Sequence, residues 1–438
     1  MMLSWKGLNR YIGIAYQRIF RRLGTIAWLT FTSLLLIAPA CQMPPSPAQL
    51  KIGTLLPITG DLSQYGTSMQ NSADLLVKTV NSCGGTLGQP VVLMAADDQT
   101  EPTAGASAMT KLAEVDRVAG VVGAASSAVS SAAVDIAVRN QVVMISPAST
   151  SPVFTDRARK GDFQGFWFRT APPDTFQAEA LAQLAQTQGF QTVSLLAVNN
   201  DYGNGLLAAF IPAFERLGGT VVNKAKPVRY PPDASVFASE VNAAFNGQPD
   251  AVLLIAYPET GSLILKTAYQ QGLLGGKTKV IATDGLKEAK FAELVGKNSQ
   301  GQYIAVGLMG TAASAGGPAI ADFQQLYTQT YHRPPKIYDP NTWDAAAVLV
   351  LAAEAAKTNT GPAIKDKIRE IANPPGESVT DVCKALSLIR QGQKIDYQGA
   401  SGNLDFNAFG DVTGSYDVWT IAPDGSLKVK GAIAVTGQ

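Results

Sequence analysis

A single histidine stands in a chain of 438 residues. His332 falls in the polar segment Tyr331-His332-Arg333-Pro334 after a helical pattern, where a surface position is expected. No Ser–His arrangement, metal-ligand cluster or phosphate loop can be assembled around it. The reading is therefore of a protein that is not an enzyme and carries no metal or cofactor. Charge is sparse as well, with Asp, Glu, Lys and Arg at 16%. The net charge of +1 is misleading, because Lys6, Arg10, Arg18, Arg21 and Arg22 crowd the first 40 residues, which hold no acid. The 35 basic residues less those five leave 30 against 34 acidic ones. No basic run remains, which leaves a nucleic-acid role without support. A hydrophobic content of 46% excludes a disordered chain.

Behind the basic segment, Leu23–Ala40 forms an apolar run that ends at Ala38-Pro39-Ala40-Cys41. A basic start, an apolar centre and small residues at the cut are the plan of a secretory signal, here 1–40. A Cys directly after the small residues resembles the bacterial lipobox, which implies that Cys41 is lipidated and anchors the protein to the membrane. An uncleaved anchor is the alternative, since spanning a bilayer takes roughly 17–25 residues. Either way the globular part is expected outside the cytoplasm, behind a Pro-rich tether that completes 41–50. The chain has three cysteines in all. Cys83 and Cys383 can pair in an oxidising compartment, or stand as two separate buried thiols.

From Lys51 strand and helix patterns alternate. Lys51–Leu56, Pro90–Ala95 and the apolar runs beginning at Val118 and Val142 read as strands, and Met69–Val80 and Thr103–Glu114 as helices. After a break at Pro172-Pro173 the pattern restarts, with strands at Thr192–Val198, Thr220–Ala225, Ala251–Ala256 and Val280–Thr283. Helices at Thr175–Gly189 and Gly205–Leu217 alternate with them. Beyond these, Tyr303–Leu308 reads as extended, Ile320–Tyr331 and Thr342–Lys357 as helices, and the tail from Gly402 as hairpin strands. Such a succession specifies an α/β protein with two doubly wound parallel sheets. The expected division is 51–171 plus 306–408 for one lobe and 172–305 plus 412–438 for the other.

Two strand ends are rich in hydroxyls: Val118–Ser131 and Val142–Ser151. In an open parallel sheet, small ligands bind at the C-terminal strand ends, where helix N-terminal amides point outward. Helix capping by the same Ser and Thr side chains is the competing account. Tyr65, Tyr257 and Asp284 stand at other strand ends and add aromatic walls and a carboxylate. Hydroxyls and amides suit a ligand carboxylate, and a buried acid suits an ammonium, so the set fits a zwitterion. Gly203-x-Gly205-x-x-Ala208 formally matches a dinucleotide fingerprint, but Asn199–Tyr202 intervenes after the strand and no acid follows at the required distance. It reads instead as an exposed loop projecting Tyr202. Asp97-Asp98 could hold a cation, although solvated or capping carboxylates account for them more simply.

Several stretches resemble, in order and spacing, the Leu/Ile/Val-binding family of type I periplasmic substrate-binding proteins, which feed ABC transporters. They are Ile52–Gly66 (IGTLLPITGDLSQYG), Val80–Asp98, Ile145–Thr150 (ISPAST), Phe168–Ala171 (FRTA), Asn200–Gly205 (NDYGNG), Ala256–Gly261 (AYPETG) and Thr283–Gly285. The resemblance implies two Rossmann-like lobes joined by three crossings, near Arg169–Pro172, Tyr303–Gly307 and Phe406–Gly414, with the ligand between them. It implies that Ser127 binds the ligand carboxylate and that the Ala148 carbonyl and Thr150 hold carboxylate and ammonium. Tyr202 would close over the ligand, Asp284 take the ammonium, and Tyr65 line the pocket. Asp284 is one methylene shorter than the Glu common in the family. The expected protein is a monomeric, extracytoplasmic, lipid-anchored binder that delivers a small amino acid to an ABC permease. Binding of an amide or urea on the same scaffold, and a sensory ligand-binding module, are the alternatives.

Overall fold

The computed structural model describes residues 49–435. The signal segment, Cys41 and nearly all of the tether lie outside the described residues. No helix among those described is long and apolar enough to cross a membrane.

The apolar, β-branched runs form the central strands. β1 (Lys51–Leu56), β2 (Val92–Asp97), β3 (Gly120–Gly123), β4 (Val143–Ser146) and β5 (Trp167–Arg169) make a parallel sheet in the order β2-β1-β3-β4-β5. Side chains alternate between two cores. Ile52, Val122, Val143 and Ile145 pack with the helices Asp339–Ala356, Gly361–Ala372 and Val382–Arg390. Leu55, Val121 and Met144 pack with Met109, Val129 and Val134 on the other face. Burial on both faces is why these strands read as unbroken apolar runs.

The second lobe repeats the winding. β6 (Thr192–Val198), β7 (Thr220–Val221), β8 (Val228–Tyr230), β9 (Ala251–Ile255), β10 (Lys279–Ala282) and β11 (Met309–Ala313) run parallel, in the order β7-β6-β9-β10-β11, with β8 also on β6. β12 (Glu377–Val379) and β13 (Ile395–Tyr397) form a separate parallel pair. The hairpin β14 (Ser415–Ile421) and β15 (Leu427–Ala434) adds to β11 antiparallel, so the second sheet is mixed.

Three expectations are corrected here. Tyr303–Leu308 is a turn with one bridging residue, not a strand; the strand is Met309–Ala313. That strand belongs to the second sheet, so the second crossing follows Ala313 rather than lying near 303–307, and the first lobe's return segment begins correspondingly later. The tail from Gly402 holds no strand before Ser415, so Gly410-Asp411 lies in the third crossing, and the hairpin turns at Asp424-Gly425.

A disulfide joins Cys83 to Cys383, 300 positions apart, with the Cα atoms 5.9 Å apart. It ties the loop after the helix Ser63–Ser82 to the helix Val382–Arg390, within the first lobe. His332 ends the helix Ile320–Tyr331 on the surface.

Candidate functional site

Each sheet reverses its winding beside its own first strand, β1 in one lobe and β6 in the other. Ligand sites of open α/β sheets form at that switch point, because the connections diverge there and leave a crevice. The two crevices face each other. Tyr65 follows β1 and Tyr202 follows β6; Ser126 and Ser127 follow β3 and Tyr257 follows β9; Ala148 follows β4 and Asp284 follows β10. All these residues line one cavity, together with Leu62, Met69, Ala125, Gly285 and Tyr338. Of the residues expected at the site, Thr150 is buried just outside this lining. The cavity holds about 30 Å³, room for a water or two, so a larger molecule can enter only as the lobes part.

Most of the strand-end hydroxyls bind the chain itself. Ser130, Ser146 and Ser149 donate to the Ala124 carbonyl at 3.3, 2.6 and 3.0 Å, and the Ser151 amide donates to Ser127 Oγ at 3.3 Å. These bonds hold the two loops together. Ser126 Oγ and Thr150 Oγ1 are buried without a hydrogen-bond partner; Tyr257 is the polar neighbour of the first and Asp174 of the second. Ser126 is the N-cap residue of the helix Ser127–Arg139, so its hydroxyl lies beside free backbone amides. Hydroxyls bonded within the chain and hydroxyls without such bonds thus stand side by side.

The opposite wall is acidic and aromatic. Asp284 Oδ1 accepts from Tyr202 OH at 2.7 Å and Oδ2 from Tyr338 OH at 2.6 Å. Tyr202 also contacts Thr283 Oγ1 at 2.7 Å and stacks on Tyr257, with ring centroids 5.7 Å apart. Burial, and then the charge of Asp284, push the Tyr202 and Tyr338 hydroxyls well above the usual tyrosine range, so both stay protonated donors. Burial lifts Tyr257 to about 12.

Tyr202 itself is buried in the first turn of the helix Asp201–Arg216, not on an exposed loop. Asn200 caps that helix by accepting from the Gly203 amide at 3.0 Å. A β-carbon at Gly203 would stand 1.9 Å from the Val198 carbonyl oxygen. The glycine therefore serves strand–helix packing, without a phosphate. Asp97 and Asp98 bind nearby loop groups, Asp97 with Thr59 and Gln99 and Asp98 with Thr100. Among the described residues no three His, Cys, Asp or Glu side chains group as metal ligands.

Two residues at the acidic wall escaped the sequence reading. Tyr338 lies in a Pro-flanked polar segment with no strand before it. Asp174 opens the helix Asp174–Thr187 and reads as an ordinary first-turn acid. It is fully buried, and neither carboxylate oxygen has a hydrogen-bond partner. Burial first, and then Asp284, hold its carboxyl well above the usual carboxylate range, against the pull of Thr150 and Arg169.

The chain matches the family model described as receptor family ligand binding region over residues 68–424. The Leu/Ile/Val-binding protein BraC3 of Rhizobium johnstonii is 30% identical over 335 residues, 76% of this chain and 85% of its own. BasB of Halobacterium salinarum, the substrate-binding protein of a chemotactic signal transduction system, is 26% identical over 381 residues, 82% of this chain and 83% of its own. The leucine-binding protein LivK of Thermotoga maritima superposes with a TM-score of 0.73 at 27% identity, over 88% of this chain and 98% of that one. LivJ of Streptococcus pneumoniae, solved in complex with isoleucine, gives a TM-score of 0.70 at 21% identity, over 89% and 100%. Fold and cavity together define a two-lobed solute-binding protein of the ABC-transport type, not an enzyme. The chain belongs to the Leu/Ile/Val-binding family of type I periplasmic binding proteins.

Proposed function

We propose that this protein captures a small neutral amino acid between its lobes, outside the cytoplasm and anchored by a lipid at Cys41, and delivers it to an ABC permease. The observation that carries this reading is the polarity of the interlobe cavity. One wall offers the Ser126 hydroxyl beside the N-terminus of the helix Ser127–Arg139, with Thr150 buried just outside it. The facing wall offers Asp284, with Asp174 close behind. A ligand carboxylate and ammonium match these walls, and a zwitterion needs both, since an unpaired buried charge costs several kcal/mol. Leu62, Met69 and Ala125 leave an apolar end with no charged partner for a ligand side chain.

Ligand contacts from both lobes favour the closed form, which is the form a permease would recognise. Thermal unfolding of the mature protein with each amino acid from glycine to phenylalanine, and with acetamide and urea, tests the reading. At a ligand concentration of about 100 Kd, binding to the native state adds about 2.7 kcal/mol of stability. Stabilisation by neutral amino acids is expected. Stabilisation by acetamide or urea alone would overturn it.

A further inference from the structure

One turn of the second lobe, Asp284–Glu288, is gripped from the first lobe at three points. Tyr338 OH donates to Asp284 Oδ2 at 2.6 Å, Tyr65 OH donates to the Gly285 carbonyl at 3.2 Å, and Lys336 Nζ pairs with Glu288 Oε2 at 2.9 Å. Two of the three come from the short segment Lys336–Tyr338, which leads into the helix Asp339–Ala356. That segment is itself braced. Buried Asp339 accepts from the Lys336 amide at 2.7 Å and from Ser68 Oγ, and Thr342 Oγ1 donates to the Tyr338 carbonyl at 2.7 Å.

Tyr338 sits at φ +67°, ψ −6°, a left-handed conformation that bulky residues rarely adopt. Such a backbone persists where the surroundings hold it, and it clusters at active sites, ligand clamps and switch regions. Here the bracing from Asp339 and Thr342 aims the phenol across the cleft. Asp284 needs that help. Its side chain is short, and inside its own lobe one oxygen is fixed by Tyr202 while the other has Tyr338 as its hydrogen-bond partner.

We propose that Tyr338 is a positioning residue that orients Asp284 for ligand recognition when the lobes close, so that closure completes the ammonium site. A neutral hydroxyl can do this without cancelling the carboxylate's charge. Each Asp284 oxygen accepts one phenol and keeps a further lone pair for the ligand. An open cleft withdraws Tyr338 and leaves Asp284 held by Tyr202 alone. The inference rests on the reading of Asp284 as the ammonium partner.

The test compares wild type, Tyr338→Phe, Asp284→Asn and the double variant. Leucine affinity is measured by calorimetry, and the unliganded closed fraction by single-molecule energy transfer between one dye on each lobe. Loss of a hydrogen bond to a charged group should weaken leucine binding about 10- to 100-fold in Tyr338→Phe. The same change should cost less than about threefold once Asp284 is already Asn, because the positioned group is gone. The unliganded closed fraction should fall in Tyr338→Phe. An equal loss of affinity with and without Asp284, or an unchanged closed fraction, would overturn the proposal. If wild type binds neither leucine nor any other amino acid from glycine to phenylalanine, the amino-acid reading fails, and the closed fraction still decides the role of Tyr338.

Discussion

Arg169 and Asp411 form an ion pair at 2.7 Å, buried where the first and third crossings lie side by side. Arg169 also donates to the Ser149 and Ser151 carbonyls at 3.1 and 2.8 Å and to Thr155 Oγ1 at 2.7 Å. The guanidinium thus links the pivot to the loop that carries Thr150. Removing one partner of a buried pair strands the other charge, at about 3–5 kcal/mol. Asp411→Asn should therefore lower the melting temperature by several degrees, as scanning fluorimetry would show.

The proposed zwitterion site makes a graded prediction. Asp284→Ala removes the charge of the proposed ammonium partner and should weaken binding by about 30-fold or more. Thr150→Ala removes a hydrogen bond and should weaken binding by about tenfold. Neither should unfold the protein. Unchanged affinity in both would show that the ligand binds elsewhere.

Gly205 belongs to the second lobe, yet its nearest neighbours are in the first. A β-carbon there would stand 2.5 Å from Ser151 Oγ and 2.8 Å from Pro152 Cδ, beside the interlobe bond from Ser151 Oγ to the Asp201 carbonyl at 2.8 Å. Gly205→Val should wedge the cleft open. The expected result is about a tenfold loss of affinity through a smaller closed population, with the unliganded melting temperature unchanged. A crystal structure of the variant showing closed lobes would contradict this.

Burial pushes the Asp98 carboxyl up to about 7, and those of Asp339 and Asp344 up to about 6. The folded state then binds more protons than the unfolded chain between about pH 4 and 7, so stability falls as pH rises through that window. Asp98 Oδ1 accepts from the Thr100 amide at 2.8 Å while Oδ2 has no partner. Asp98→Asn should accordingly raise the melting temperature at pH 8 and flatten its decline from pH 5.5 to 8. Calorimetric scans across that range provide the measurement.

How much was legible depended on what each segment packs against. β1, β6 and the helix Ile320–Tyr331 match their sequence patterns, because continuous burial and a clear amphipathic face leave plain periodicities. Tyr303–Leu308 misled because apolar residues cap the rim of a sheet as readily as they build a strand. Met309–Ala313 contains Gly310 and two alanines and carries little strand signal. The helices Gly361–Ala372 and Val382–Arg390 were passed over although Ile364, Ile368 and Ile371, and Val382, Leu386 and Ile389, keep helical spacing. At the cleft, six residues named from the sequence meet in one cavity, since strand ends are readable. Asp174 and Tyr338 were not, because their importance comes from long-range neighbours that local pattern does not encode.

Three crossings also bear on how the chain is made. The first sheet is covered on one face by helices that follow Asp339, and the second sheet gains its last strands after Ser415. Neither lobe is therefore finished until nearly the whole chain has left the ribosome. A nascent chain with incomplete cores lacks much of the packing that would lock it. Such late completion would suit the passage across a membrane that the proposed function requires.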